Sequence, residues 1–299
     1  MDERHLRALI GERHPVSSPA SLRQAEEYLT EQFRALGLDV HCHPFDALGG
    51  TYRNVVGTMP MQKGDSPSTR CIGRSNGYPE EGLSPSPLII AAHYDTVPGS
   101  PGADDNASAL AVMLEVARCL RGLPLRRAVR FIGFCLEEED LIGSLAYVAS
   151  LRTAHEEIAG AIVLECVGYA RTDEGSQRTP SGVTVSGPSV GDFLGIVGNA
   201  ASAELAGAVE AAANAHVPDL KTVSLLVPGN GELLPDTRRS DHAAFWHYGY
   251  PAVMLTDTAN FRNPHYHRST DTLETLDLSF MEKVAAAVTA AALELSARP

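Results

Sequence analysis

Leu88-Ile89-Ile90-Ala91-Ala92 runs directly into His93-Tyr94-Asp95, and this junction decides how the chain is read. An apolar run without alternation suits a strand buried on both faces, the pattern of a mainly parallel sheet covered by helices. Similar runs recur at 129–136 (VRFIGFCL), 161–164 (AIVL), 223–227 (VSLLV) and 252–255 (AVML). Helical patterns lie between or after them, at 106–120, 142–151, 191–215 and 278–297. This rhythm predicts an α/β three-layer sandwich, with a mixed, mainly parallel central sheet and helices on both faces.

Upstream, Ser18, Pro19 and Gly37 suit the cap, first turn and end of a helix. Leu22, Ala25, Leu29, Phe33 and Leu36 give that helix an apolar stripe. Residues 38–45 alternate as a half-buried strand does, and 51–59 read as the next strand. Residues 60–87 are rich in Gly, Ser and Pro and read as a surface excursion. No repeat or linker divides the sequence, so residues 1–299 are expected to form a single domain.

Hydrophobic residues make up 44% of the chain and charged residues 20%, an ordinary globular balance. The net charge of −13 argues against nucleic acid as a partner. No stretch approaches the ~20 apolar residues that span a bilayer, and the opening MDERHLRALIGERHP lacks the apolar core of a secretory signal. Cys42, Cys71, Cys119, Cys135 and Cys166 are odd in number and lack CxxC spacing, so reduced thiols in a cytoplasmic protein are expected.

Three of the apolar runs end in groups able to bind a metal ion: His93 to Asp95, Glu137-Glu138-Glu139, and Glu165. Open α/β sheets bind ligands at the carboxyl ends of their strands, so these groups should converge. Gly102-Ala103-Asp104-Asp105-Asn106 and the 263–272 loop with His267 add two further fragments. Any one of them alone reads as solvated surface. Together they supply the histidines and carboxylates that suit zinc or a similar divalent ion. Two ions ~3.5–4 Å apart need a bridging carboxylate and another free to move protons; the chain has enough groups for both.

AAHYDTV (91–97), PGADDNAS (101–108), EEEDLIGS (137–144), SDHAAFWHYGYPA (240–252) and HRSTDT (267–272) stand in this order. Through them the chain resembles the co-catalytic di-zinc exopeptidases, which include bacterial leucine aminopeptidases and, more distantly, glutamate carboxypeptidases and glutaminyl cyclases. The resemblance implies two zinc ions per chain, with cobalt or manganese as alternatives. His93 and Glu165 would hold one ion, Glu138 and His267 the other, and Asp105 would bridge them. It further implies Glu137 as general base toward a water bridged by the ions, Asp95 behind His93, and a cis peptide between Asp105 and Asn106. Counting back from Gly143-Ser144 sets the motif's glutamate pair at Glu137 and Glu138 and leaves Glu139 as surplus. Asp241 and His242 match a motif near the substrate pocket; the competing reading is a helix cap with an incidental histidine. Glu165 stands where the aminopeptidases carry aspartate, which is closer to a carboxypeptidase and deacylase lineage, and Asp140 stands where the motif has glycine.

The implied activity is hydrolysis of an amide bond at the end of a small peptide-like substrate, first as an aminopeptidase. A carboxypeptidase or N-acyl amino acid hydrolase would share the site and need a cation, for which Arg238, Arg239, Arg262 and Arg268 stand close to the motifs. A single-zinc glutaminyl cyclase is opposed by the full ligand set, and a non-enzymatic binding protein by Glu137 and Asp105. Ser108 lacks the Gly-x-Ser-x-Gly context of a serine hydrolase. His265 ranks behind His267 as a ligand; His155, His216 and His247 read as surface or helix residues, and Cys135 and Cys166 as core. Cys166 is expected to point away from Glu165 across their strand. The sequence carries no reading of oligomeric state.

Overall fold

The computed structural model describes residues 2–59, 61, 84–179 and 187–297. The alternating stretch forms β1 (Asp39–Ala47), antiparallel to β2 (Gly50–Met59). β2 is antiparallel to β4 (Arg127–Phe134), and β4 is parallel to β3 (Ser84–His93). β5 (Gly160–Glu165) and β8 (Ala252–Thr256) continue the parallel centre. β6 (Phe193–Asn199) is antiparallel to β8, and β7 (Lys221–Val227) is parallel to β6. The resulting order is β1-β2-β4-β3-β5-β8-β6-β7, the mixed sheet with a parallel heart that the apolar runs predict.

Side chains alternate across the central strands and divide the interior into two layers. Ile90, Ala92, Ile162, Leu164, Val253 and Leu255 share one cluster with α2 (Pro19–Ala35), α3 (Ala109–Leu120), α5 (Ala203–His216) and α7 (Leu278–Ala297). Ile89, Ala91, Ala161, Val163, Ala252 and Met254 face the other way, toward α4 (Ile142–Thr153) and α6 (His242–His247). The stripe of Leu22, Ala25, Leu29 and Phe33 is buried in the first layer. Each leucine or phenylalanine of this stripe contributes ~1.5–3 kcal/mol when fully buried. α1 (Glu3–Leu9), unanticipated in a charged opening, drives Leu6 and Leu9 into the same layer.

Four expectations need correction. The apolar segment 191–215 is not one helix: 193–199 is β6, and only the Ala-rich part is α5. FLGIVGN is buried at every position between β8 and β7, and so short an apolar run has no periodicity to separate strand from buried helix. VSLLV lies in an edge strand, with Ser224 and Leu226 exposed. The helix expected from 106 begins at Ala109, after a wider helical turn over Ala103–Ser108. Ser18 occupies the cap position of α2, but its hydroxyl accepts from the backbone N–H of His14 (2.7 Å) instead of capping the helix. Most of the expected excursion at 60–87 lies outside the described residues; its final residues open β3.

Register brings the first ligand candidates together. Leu88 pairs with Gly160 and Ala91 with Val163 on the parallel neighbours β3 and β5. The same offset, carried to the strand ends, sets His93 beside Glu165. Among the described residues no helix is long and apolar enough to cross a membrane.

Candidate metal centre

His93 closes β3 with its side chain fully buried. Its Nδ1 donates to the Asp95 carbonyl at 3.2 Å, which leaves Nε2 to face the carboxylates. Nε2 lies 3.2 Å from Asp105 Oδ1, 3.4 Å from Glu165 Oε2 and 3.8 Å from Glu137 Oε2. The Asp95 carboxylate stands 3.6 Å from Nδ1. Its stronger task is elsewhere, accepting the backbone N–H groups of Glu137 and Glu138 at 3.1 Å each. Asp95 therefore fixes both the imidazole, chiefly through its carbonyl, and the glutamate turn, through its carboxylate.

The turn after β4 is pinned from a second side. Buried Asn54 accepts from Cys135 N–H (3.0 Å) and donates to the Gly143 carbonyl (2.8 Å). A Cβ at Gly143 would sit 2.0 Å from the Cys135 carbonyl oxygen, so only glycine fits where α4 meets the strand end. Glu138 joins the cluster, whereas Glu139 turns away to His14 (3.2 Å). Asp140 is exposed with φ +61, a left-handed conformation that glycine adopts freely, which explains the glycine that the motif carries there.

Asp105 lies in the turn before α3, and its peptide bond to Asn106 is cis. Its two oxygens face different histidines: Oδ1 is 3.2 Å from His93 Nε2, and Oδ2 is 3.0 Å from His267 Nε2. Glu138 Oε2 is 3.3 Å from His267 Nε2. Asn106 ties this turn to β5, donating to the Leu164 carbonyl (3.0 Å) and accepting from Cys166 N–H (3.0 Å) on either side of Glu165. Glu165 Oε2 accepts from the Ser240 hydroxyl (2.8 Å). Cys166 is buried, but its thiol lies 3.4 Å from Glu165 Oε1, so it does not simply face away. Tyr266 stacks on His267 with ring centroids 3.8 Å apart. Beneath the cluster, buried Arg13 donates to the carbonyls of Tyr94 (2.7 Å) and Gly102 (3.2 Å), joining the two ligand-bearing loops.

These groups suit a cation. His93, Asp105 and Glu165 offer ligand atoms within 4.8 Å of one another, and so do Asp105, Glu138 and His267. A third such set is His93, Glu137 and Glu138. His93 Nε2, both Asp105 carboxylate oxygens and Glu138 Oε1 are buried without a hydrogen-bond partner, a condition that polar atoms escape by binding something. Burial pushes Glu138 up to about 7 and Glu137 well above the usual carboxylate range, and neighbouring carboxylates add to both. Burial alone would raise Asp105, but His267 and His93 hold it below that range. Burial would likewise depress both histidines, yet the carboxylates raise His93 well above its ordinary value and His267 to about 10. A divalent ion competes with protons for these same lone pairs and relieves the repulsion among the acids.

Asp241 and His242 stand behind this cluster and are both buried. Burial raises the Asp241 carboxyl to about 7, against the opposing pull of the His93 charge and of Ser144. His242 Nε2 donates to the Thr237 carbonyl (2.8 Å), and its ring meets Trp246 edge-on at 4.5 Å. His155, His216 and His247 are exposed, and Cys135 is buried. Asn106, Ser240 and Asp271 sit inside the quoted motifs, although sequence reasoning assigned them no task. Arg13 and Asn54 carried no local signal.

The sequence profile of peptidase family M28 matches residues 76–292. The Escherichia coli K12 uncharacterized protein YfbL is 31% identical over 94% of this chain and 84% of its own length. The chain therefore belongs to peptidase family M28. Among solved structures, the LapA aminopeptidase of Legionella pneumophila shares the fold at a TM-score of 0.72 and 17% identity, over 99% of this chain and 71% of that one. BSAP, a zinc aminopeptidase from Bacillus subtilis, is 25% identical with a TM-score of 0.58, over 83% of this chain. The chain spans about half the length of BSAP, 50%.

Proposed function

We propose that this chain is a di-zinc aminopeptidase that releases N-terminal residues from small peptides. The observation that carries the reading is Asp105, whose two oxygens face His93 and His267 separately. In this reading His93 and Glu165 would hold one ion, Glu138 and His267 the other, and Asp105 would serve both. Zinc follows from the histidine and carboxylate donors and from the likeness to a zinc aminopeptidase; cobalt and manganese suit the same donors. When bound, the ions supply Lewis acidity, activating water and stabilising the oxyanion that develops on the substrate carbonyl.

Glu137 is the proton carrier. Its high proton affinity and its place 3.8 Å from His93 suit a general base near neutral pH. It takes a proton from the attacking water as the C–O bond forms, then delivers it to the nitrogen as the C–N bond breaks. Asp95 keeps the Glu137 backbone in place for both transfers. Asp241 and His242 are both fully buried, and the bond from His242 to Thr237 fits a supporting role for this pair. A cytoplasmic location is part of the proposal and draws on Cys42, Cys119, Cys135 and Cys166, all of which are free thiols.

A substrate panel tests the reading. Aminoacyl anilides with a free amine should be hydrolysed, N-acylated ones should not, and a chelator should stop turnover until zinc is restored. Turnover confined to N-acyl amino acids or amine-blocked peptides would replace it with the deacylase or carboxypeptidase reading, which Glu165 favours. Ring closure of glutaminyl peptides without hydrolysis would replace it with a cyclase.

A further inference from the structure

A cavity of about 270 Å³ opens against Glu165, with apolar walls that include Phe193, Val197, Leu225, Met254 and Phe261. Arg239 and Arg178 also line it. Among the four arginines near the C-terminal motifs, only Arg239 reaches this cavity. Arg262 is scaffold: it is buried, its Nε donates to Gln177 Oε1 (2.9 Å), its Nη1 to the Tyr169 carbonyl (3.2 Å), and its guanidinium lies over the Phe193 ring.

Arg239 is held differently. Its Nη1 donates to Asn260 Oδ1 and its Nη2 to the Tyr266 hydroxyl, each at 3.0 Å, which fixes the guanidinium against the wall and leaves the rest of its donor fork available. Asp236 lies 3.7 Å away, but that pair is half exposed and too weak to neutralise the cation. The next residue, Ser240, donates to Glu165 Oε2 (2.8 Å), so the cation and a metal-centre acid share one wall. A fixed guanidinium beside an apolar chamber is built to take a carboxylate in two parallel hydrogen bonds.

We propose that Arg239 binds a substrate carboxylate while the cavity holds an apolar part of the same molecule, so that the enzyme acts on short anionic peptides. This deepens the aminopeptidase reading and rests on it. Two sources supply the same chemistry: the α-carboxylate of a dipeptide, or the side-chain carboxylate of an acidic first residue.

The test measures kcat/KM of the zinc-loaded enzyme on two matched pairs, Leu-Leu against Leu-Leu amide, and glutamyl anilide against glutaminyl anilide. The acid of one pair should exceed its neutral partner at least about tenfold. Preference in the first pair identifies the α-carboxylate, and preference in the second the side chain. Arg239→Gln should bring that ratio toward one, mainly through KM, and Arg239→Lys should restore part of it. Neutral substrates cleaved as well as acids by the wild type would refute the carboxylate site and leave the aminopeptidase reading standing, whatever the variants do. An acid preference that survives in folded Arg239→Gln would refute it equally. If nothing is hydrolysed, the aminopeptidase reading fails instead. Calorimetry of Leu-Leu and its amide with wild type and Arg239→Gln then still decides the carboxylate: tighter binding of the acid by the wild type alone supports it, and equal binding overturns it.

Discussion

Asp271 accepts hydrogen bonds from the backbone N–H groups of Asp104 (2.9 Å) and Asp105 (3.1 Å), so the loop that carries His267 also holds the loop that carries the shared carboxylate. Two ligand candidates 162 positions apart in sequence (267 minus 105) are thereby set by one buried acid. Asp271→Asn turns an amide N–H₂ toward those donors or loses one of the bonds. Zinc affinity, measured by competition with a chelator, should fall ~10–100-fold, the usual effect of removing a group that orients a ligand. Unchanged affinity would mean that the Asp105 loop holds its own shape.

Glu137 is the group whose task and whose metal binding come apart most cleanly. Glu137→Gln keeps the shape but not the proton affinity. Turnover should drop at least ~10²–10⁴-fold, the range for general-base catalysis, while metal content measured by elemental analysis stays that of the wild type. Loss of metal in this variant would make Glu137 a ligand, and activity within about tenfold of wild type would remove it from the chemistry.

The buried imidazole of His242 gives the fold an acid sensitivity separate from the metal centre. Burial lowers its pKa from 6.5 to about 4. The folded chain keeps it neutral while the unfolded chain takes up a proton below pH 6.5, so the unfolded state binds more protons between these values. Its contribution to stability is intact above pH 6.5 and declines as pH falls toward 4, by at most ~1.4 kcal/mol per pH unit. His242→Gln should lower stability near pH 7 by losing the bond to Thr237, yet show a shallower decline toward pH 4 than the wild type in denaturant titrations. Parallel declines in the two proteins would contradict this.

Most of the site was legible because its ligands stand at the ends of short apolar runs. His93 and Glu165 each close a buried strand, and parallel register does the rest. The glutamate register could be counted from Gly143, which the close approach of Cys135 fixes as glycine. What escaped was long-range support. Arg13 reaches carbonyls 81 and 89 positions away, and Asn54 meets Cys135 81 positions away, so no local pattern announces either. β6 escaped for another reason: FLGIVGN is apolar on both faces and runs into an Ala-rich helix, so its sequence carries no period of its own.

The account stands on Asp105 serving two ions at once. Zinc titration of chelator-treated protein measures this directly, comparing wild type with Asp105→Ala by calorimetry and elemental analysis. Wild type should bind two ions per chain, and the variant should lose tight binding of both, because the two sets proposed to hold the ions, His93 with Asp105 and Glu165, and Asp105 with Glu138 and His267, share Asp105. A single ion per chain in the wild type, or two ions held as tightly after the substitution, would contradict it.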